Sequence, residues 1–231
     1  MATKAKPSTN GHVNRIADVI APPAKSKSVQ IAAPNIQRAV FKIRGTSPYV
    51  QNKFSHKARQ IMMDKQAAGS TAKKGVKRTP KDFEACCKEA TYITETGGYG
   101  IPCGAFRAAM ISACRTVDFK MTHAKLALFV EGNAHDATDI GTDLVAITKG
   151  KPKRFEAMVR NDSGVADIRS RPMWQAGWEA SLTIRFDGDM FTLDDVTNLL
   201  ARAGAQIGVG EGRADSKGSC GVGWGFFELV N

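Results

Sequence analysis

The chain has 231 residues, of which 42% are hydrophobic and 24% are charged, and its formal net charge is +11. This composition is typical of a globular protein and excludes a collagen, a coiled coil and a fully disordered chain. No run of about 18 apolar residues is present and the N-terminus lacks an apolar signal core. We therefore expect a cytoplasmic protein with no membrane span.

The basic excess is confined to the first part of the chain. Residues 1–90 carry 18 basic and 5 acidic side chains, whereas residues 91–231 carry 15 basic and 17 acidic side chains. Lys and Arg that neutralise phosphates release condensed counterions, so this charge indicates a polyanion as partner. Solubility alone is the alternative explanation of a basic chain.

The N-terminal third contains two basic segments on either side of a strand. Residues 1–35 are rich in Pro, Ser and Lys and predict a mobile arm. Residues 38–45 alternate in polarity and predict the first core strand of a domain spanning residues 36–231. A basic insertion follows at residues 49–88, with a possible helix at 55–68 and a polar loop at 69–81. Its candidate nucleic-acid-binding residues are Lys53, Lys57, Arg59, Lys73, Lys74, Lys77 and Arg78.

The middle of the chain alternates between strand and helix patterns. Residues 90–96 predict a strand and residues 97–100 a turn. Pro102 then precedes a helix whose apolar positions include Phe106 and Met110. Residues 126–132 and 143–148 predict strands, and residues 159–164 a turn between extended segments.

The C-terminal third has the clearest pattern. Residues 178–187 alternate as a strand, and Thr192 is a good N-cap for a helix that is predicted to end at Gly204. A Gly-rich loop (residues 207–225) leads to a final strand. Together these elements predict an α+β fold.

The Gly-rich loop does not match a dinucleotide-binding fingerprint, because it follows a helix instead of a strand. Its glycines instead indicate a backbone that turns sharply and lies close to another group. Arg213 and Lys217 make an anionic backbone a suitable neighbour, and a flexible hairpin without a ligand is the alternative. Tyr49, Tyr99 and Trp224 are candidates for stacking on bases.

The sequence predicts no metal site and no cofactor. Five cysteines form no CxxC pair and have no His at finger-like spacing, which favours reduced thiols. His135, Asp136, Asp139 and Asp143 could be drawn as a metal cluster, but their spacing matches no Ca²⁺ loop and favours a solvated surface loop.

Two separated motifs resemble one protein family. The segment GIPCGAFRAAMISACR (residues 100–115) resembles the I-P-x-S-S-hydrophobic-K-G start of the first helix in the RAMP superfamily. These repeat-associated proteins form the RNA-binding backbone of CRISPR effector complexes. The segment LLARAGAQIGVGEGRADSKGSCGVGWGFFEL (residues 199–229) resembles the Gly-rich loop of that superfamily. Cys103 and Gly104 stand where small hydroxyl residues are usual in the family.

The resemblance implies an RRM-like (ferredoxin-like) core with a long insertion after the first strand and subunits that stack along one strand of nucleic acid. It implies that the ligand backbone lies near both motifs. The implied contact residues are Pro102, Cys103, Gly104, Arg107, Gly210, Gly212, Arg213 and Lys217.

We therefore expect a non-enzymatic protein that binds single-stranded RNA or DNA, with RNA favoured, and that forms a homo-oligomer or filament on it. A metal-dependent nuclease using Asp136 or Asp139 is one alternative. A phage or virion protein that packages nucleic acid is another.

Overall fold

The larger sheet is built around β9 (Glu179–Asp187), whose alternate residues Ala180, Leu182, Ile184 and Phe186 are buried. β1 (Ile36–Gly45) pairs antiparallel along the whole of β9, and β10 (Phe227–Val230) pairs with the other edge of β1. On the opposite edge of β9, β4 (Leu128–Glu131) pairs with the C-terminal half of the strand. β6 (Asp143–Lys149) pairs with its N-terminal end. β3 (Gly100–Pro102) and β5 (Ala134–His135) both pair with β6.

These strands are seen in a computed structural model that describes residues 31–54, 60–61, 63–64, 81–139, 141–160, 164, 166–216 and 221–230. Within the described residues, no helix is long and apolar enough to cross a membrane. The predicted arm at residues 1–35 lies outside them except for its last five positions. Most of the predicted basic insertion, including the loop at 69–80, lies outside them as well.

Two helices pack against the larger sheet. α2 (Cys103–Ala113) contributes Phe106 and Met110 to the core, and α4 (Leu193–Arg202) contributes Val196 and Leu200. A capping box holds the start of α4, because Thr192 accepts from the Asp195 N–H while Asp195 accepts from the Thr192 N–H. Burying these four apolar side chains contributes about 1.5–3 kcal/mol each relative to exposure.

The order of these elements along the chain is β1, α2, β4, β9, α4, β10, and the four strands lie side by side as β10-β1-β9-β4. All their pairings are antiparallel. An antiparallel sheet packed against helices agrees with the predicted α+β class. The order of the strands and helices is compatible with a ferredoxin-like core.

A smaller sheet joins two insertions into that core. β2 (Tyr49–Val50) follows β1, whereas β7 (Lys153–Arg160) and β8 (Ala166–Trp174) form a hairpin between β4 and β9. The strand order is β2-β8-β7. The short helix α1 (Phe83–Glu89) packs beside β8, capped by Asp82, and Arg154 of β7 forms an ion pair with Glu84 of α1.

Two predicted strands differ from the structure. Residues 90–96 form only the isolated bridges Ile93–Tyr99 and Thr94–Asp136. At 126–132, the short helix α3 (Met121–Ala127) extends into the predicted strand, so β4 begins only at Leu128. Both segments have strand-like composition, but local composition does not supply the partner strand on which a ladder depends.

The predicted end of α4 at Gly204 is also wrong. A π-helical turn (Ala203–Ile207) continues from α4, and the helical path ends at Gly208, whose φ is +77°. Gly204 has a different role, since a Cβ there would lie 2.2 Å from the Phe227 carbonyl oxygen. The glycine permits β10 to pack closely instead of terminating the helix.

Candidate functional site

A cavity of about 410 Å³, here called cavity A, lies where the first turns of α2 meet the Gly-rich loop. It is lined by Pro102, which immediately precedes α2, by Ala105 and Ala108 of α2, and by Gly210 and Arg213 of the loop. The remaining lining residues are Tyr49, Gln51, Asn52, Tyr92, Val209, Glu211 and Ser216. Pro102 and Gly210 are more than 100 positions apart in sequence, so the fold alone brings the two motifs together.

The Gly-rich loop is fixed against the start of the smaller sheet. The Glu211 N–H donates to the Val50 carbonyl at 3.0 Å, and the Gly225 N–H donates to the Pro48 carbonyl at 2.7 Å. Gly210 has a φ of +80°, and a Cβ there would lie 2.5 Å from the Tyr49 ring. Glycine is therefore required at this position both by the backbone conformation and by the close approach.

The wall of cavity A offers hydrogen-bond donors. Arg213 donates through Nη1 to the Gly210 carbonyl at 3.0 Å, which orients its guanidinium. This is its only hydrogen bond to a described residue, so its other N–H groups can donate to a ligand. Within the part of the chain that the structure describes, the N–H group of Gly210 has no acceptor. The first turn of α2 contains no acidic residue. This wall is suited to an anionic group.

Asp215 anchors the loop to α2. Its carboxylate accepts a hydrogen bond from the Ser112 hydroxyl and lies 2.6 Å from Arg115 Nη2. The hydrogen bonds from Ser112 and Arg115, together with the charges of Arg115 and Arg213, lower the pKa of Asp215. The carboxylate is therefore ionised at neutral pH and holds the loop against the end of the helix.

A buried ion pair links the loop to the smaller sheet. Arg171 of β8 is buried and pairs through Nη1 with Glu211. Burial, followed by the charge of Arg169, lowers the pKa of Arg171 to about 10. The guanidinium remains charged at neutral pH, and its pairing with Glu211 sets the position of the loop relative to β8.

Gln51 lines cavity A and links three segments of the chain. Its side chain is buried, donates through Nε2 to the Gly100 carbonyl and accepts at Oε1 from the Tyr92 N–H. The Gln51 N–H donates to the Pro172 carbonyl of β8. One residue thus ties β3, β8 and the segment around Tyr92 together.

The predicted site residues on α2 separate into two groups. Pro102 lines cavity A. Gly104 is exposed, and a Cβ added there would meet no described residue within 4 Å apart from its chain neighbours and the backbone of its own helix. Cys103 is buried, and burial followed by the charge of Asp143 raises the pKa of its thiol to about 11. Arg107 does not line cavity A, since its guanidinium donates to the Leu128 and Lys125 carbonyls and stacks on Phe129.

The ammonium group of Lys53 forms hydrogen bonds within the protein. Its ammonium donates to Asp136 and, at 2.6 Å, to the Thr138 hydroxyl. Its side chain is 10% exposed and that of Asp136 is fully buried. Burial opposes ionisation of Asp136, but the hydrogen bonds from Lys53 and Thr138 and the charge of Lys53 outweigh it and lower the pKa. A binding role for Lys53 stays a prediction.

Several predicted residues fall outside the described part of the chain, and their binding role also stays a prediction. These residues are Lys57, Arg59, Lys73, Lys74, Lys77, Arg78 and Lys217. Gly212, which is described, lies in the loop beside Gly210, and a Cβ there would lie 2.5 Å from the Trp224 ring.

The residues of the suggested metal cluster have other contacts. Asp136 is held by Lys53, and His135 Nδ1 lies 3.0 Å from Asp143 Oδ1. Among the described residues, no group of three or more His, Cys, Asp and Glu side chains is arranged to hold a metal ion.

The aromatic residues expected to stack on bases are mostly packed. Tyr49 is buried between Trp174 and Trp178, with ring centroids 5.4 and 5.5 Å away, and burial raises its pKa above the ordinary tyrosine value. Tyr99 stacks edge-on against Trp174, and Trp224 against Phe155. Phe54, which the sequence interpretation passed over, is instead 54% exposed. Its place in the predicted basic insertion, next to Lys53, is the signal that could have identified it.

Two further cavities continue from cavity A along the segment that contains Phe54. Cavity B has a volume of about 440 Å³ and shares Asn52 with cavity A. Cavity C has a volume of about 300 Å³ and shares Lys53, Phe54 and Glu89 with cavity B. The three cavities therefore follow one extended stretch, residues 49–54.

Comparisons with known proteins identify no family. No protein-family model matches the chain, and no curated protein matches it. Among solved structures, the chain is similar to one in a cryo-EM structure of the Type III-B Cmr-beta complex bound to cognate target RNA, with a TM-score of 0.45 and 9% identity. The alignment covers 85% of this chain and 60% of that one, so this chain spans only part of its length.

Proposed function

We propose that this protein binds single-stranded nucleic acid, with RNA favoured over DNA, in cavity A, and that it does not cleave the strand. The observation that carries the proposal is the meeting of the start of α2 with the Gly-rich loop around one cavity. Each motif resembles a nucleic-acid-binding segment of the RAMP superfamily, and each contributes lining residues.

The chemistry of cavity A supports a phosphate-bearing ligand. Arg213 and the N–H group of Gly210 are donors of the kind that contact phosphate oxygens. Glu211 also lines the cavity, but Arg171 neutralises its charge. A volume of about 410 Å³ lies within the usual range of small-ligand pockets, and it suits an unpaired nucleotide better than a stacked base pair.

The basic excess in residues 1–90 supports the same class of ligand, because it supplies an electrostatic attraction that does not depend on base sequence. We further propose that the chain is a RAMP-like protein and that several copies line up along one strand. The two motifs and the order of the core elements support this part of the proposal.

A salt titration of binding tests the proposal. Wild-type protein should bind a single-stranded oligonucleotide more tightly than the matching duplex, and its affinity should fall steeply with salt. Arg213→Gln should weaken single-strand binding about tenfold, as one charged hydrogen-bonding contact is lost. Arg202→Gln is the matched control, since Arg202 is an exposed arginine in the last turn of α4 and does not line cavity A. Equal affinity for duplex and single strand would refute the proposal.

Two simpler assays test the finer statements. Size-exclusion chromatography should show larger species only when single-stranded RNA is present, and an unchanged elution volume would contradict alignment along a strand. End-labelled RNA incubated with the protein and Mg²⁺ or Mn²⁺ should remain intact. Cleavage would favour the nuclease alternative.

A further inference from the structure

Cavity B is surrounded by basic side chains next to an exposed aromatic ring. Lys53, Lys81, Arg169 and Arg171 contribute to its wall, and the phenyl ring of Phe54 lies at its junction with cavity C. Phe54 is 54% exposed, and it is the one aromatic residue among the exposed large hydrophobic side chains of the described part of the chain.

Two of the cations around cavity B share one carboxylate. Asp167 lies 2.9 Å from Lys81 Nζ and 3.8 Å from Arg169 Nε, so one carboxylate faces two cations. The hydrogen bond and charge of Lys81, with the charge of Arg169, lower the pKa of Asp167, so it is ionised at neutral pH. Glu89 contributes a second carboxylate to the wall of cavity B. Arg169 is nevertheless only loosely paired, because 3.8 Å is beyond hydrogen-bond distance, and its guanidinium can also donate to a phosphate.

Cavity B is also lined by the two residues that flank the most basic stretch of the sequence. Residues 55–80 contain seven Lys and Arg and one acidic residue. The described residues on either side of this stretch, Phe54 and Lys81, line the same cavity. An anionic polymer is therefore a better match for this site than the apolar surface of another protein.

The route from cavity A to cavity B follows one fixed segment. The Gln51 N–H donates to Pro172 of β8 and the Lys53 N–H donates to the Ala90 carbonyl, which hold residues 51–53 extended. Asn52 and Phe54, two positions apart, are both exposed and therefore lie on one side of this extended stretch.

We propose that the single strand continues from cavity A along residues 49–54 into cavity B, where one base stacks on Phe54 and a neighbouring phosphate contacts Lys81 and Arg169. This inference rests on the proposed function, because it extends the path of the same ligand. Aromatic faces bind bases without regard to sequence, and such contacts combine with basic grooves in single-strand-binding proteins.

A tryptophan in place of Phe54 gives a direct test. The fluorescence of F54W is compared with that of wild type during titration with oligo(U) and oligo(dT). The wild-type background comes from the buried Trp174 and Trp178 and the half-buried Trp224, and is subtracted at each point. Stacking should quench the added emission. An unquenched tryptophan on a protein that still binds the oligonucleotide would overturn the inference, and would leave Phe54 as a surface for a protein partner.

Affinity measurements distinguish the contribution of base stacking on Phe54 from the contribution of the Arg169 charge. F54L should weaken binding of an oligonucleotide of about 16 nucleotides by about 5- to 100-fold with an unchanged salt slope. R169Q should lower the salt slope by about 1. The control L126A removes another exposed apolar side chain, which lines none of the three cavities, and should bind like wild type.

The outcomes distinguish the two proposals. If wild-type protein does not prefer single strands, the proposed function itself fails. If wild type binds and R213Q weakens binding, but F54L and R169Q both match wild type, only the path into cavity B is wrong. Thermal unfolding of each variant establishes that altered binding does not come from a loss of structure.

Discussion

In the larger sheet, β9 buries alternate apolar side chains beneath α2 and α4. Next to the smaller sheet, in contrast, the charged residues Asp136 and Arg171 are buried, and the Lys53 side chain is only 10% exposed. Apolar packing is non-directional and tolerates modest changes of shape. A buried ion pair adds little net stability, but it is costly to break, because the remaining charge is left without compensation. The smaller sheet therefore fixes specific positions at the cavities, while the larger sheet supplies most of the stability.

Among single substitutions, the largest loss in the free energy of unfolding is expected from breaking the Lys53–Asp136 pair. Lys53→Met should lower the free energy of unfolding by about 3–5 kcal/mol, because the Asp136 carboxylate stays buried without its partner. Chemical denaturation measures the loss. Lys88→Met is the control, since Lys88 is exposed, and should change little. Near-equal stability of the two variants would mean that the pair does not hold the region together.

A smaller loss is expected from the Gly-rich loop. Gly210→Ala should cost about 1–3 kcal/mol, because its φ is positive and its Cβ would meet Tyr49 and the Val50 carbonyl. Gly104→Ala offers a matched comparison, since that site is open and alanine favours a helix. Thermal unfolding should rank Gly104→Ala at or above wild type and Gly210→Ala below it. The reverse order would contradict the close packing of the loop.

The pH dependence of stability should reveal the contribution of the Asp136 carboxylate. Because the folded protein holds the pKa of Asp136 below its ordinary value, the carboxylate stabilises the fold above about pH 4 and loses that contribution as pH falls further. Wild type should therefore lose more stability than Asp136→Asn between pH 7 and pH 3. Other carboxylates titrate in both proteins, so the difference between their unfolding curves reports Asp136, and parallel curves would exclude the effect.

The smallest effect is expected on the outer face of the larger sheet. Arg38 pairs with Glu131 at 3.0 Å, but the arginine side chain is 60% exposed. Arg38→Ala should change the free energy of unfolding by no more than about 1 kcal/mol. If denaturation shows a loss as large as that of Lys53→Met, the proposed division between the two regions is incorrect.

The elements of the core could be predicted because their signals are local. The alternation at residues 178–187, the Thr192 cap and the apolar spacing of Phe106 and Met110 each belong to one short segment. The meeting of Pro102 with Gly210 was anticipated only through a family resemblance.

The remaining features depend on contacts that are distant in sequence. Lys53 lies 83 positions from Asp136, so its charge looked free in the sequence. Tyr49 looked available for stacking because nothing near it reveals Trp174 and Trp178. The same limitation concealed the exposure of Phe54.

The aromatic cluster around Tyr49 makes the junction of the two sheets optically visible. Trp174 ends β8 in the smaller sheet, Trp178 immediately precedes β9 in the larger one, and both rings contact Tyr49. The Trp178 indole donates to the Ser47 carbonyl at 3.1 Å, in the link between β1 and β2. If the smaller sheet opens while the larger one stays folded, tryptophan emission should shift to longer wavelength before the far-ultraviolet signal of the helices is lost. Intrinsic fluorescence can therefore report the opening of this junction without an added label.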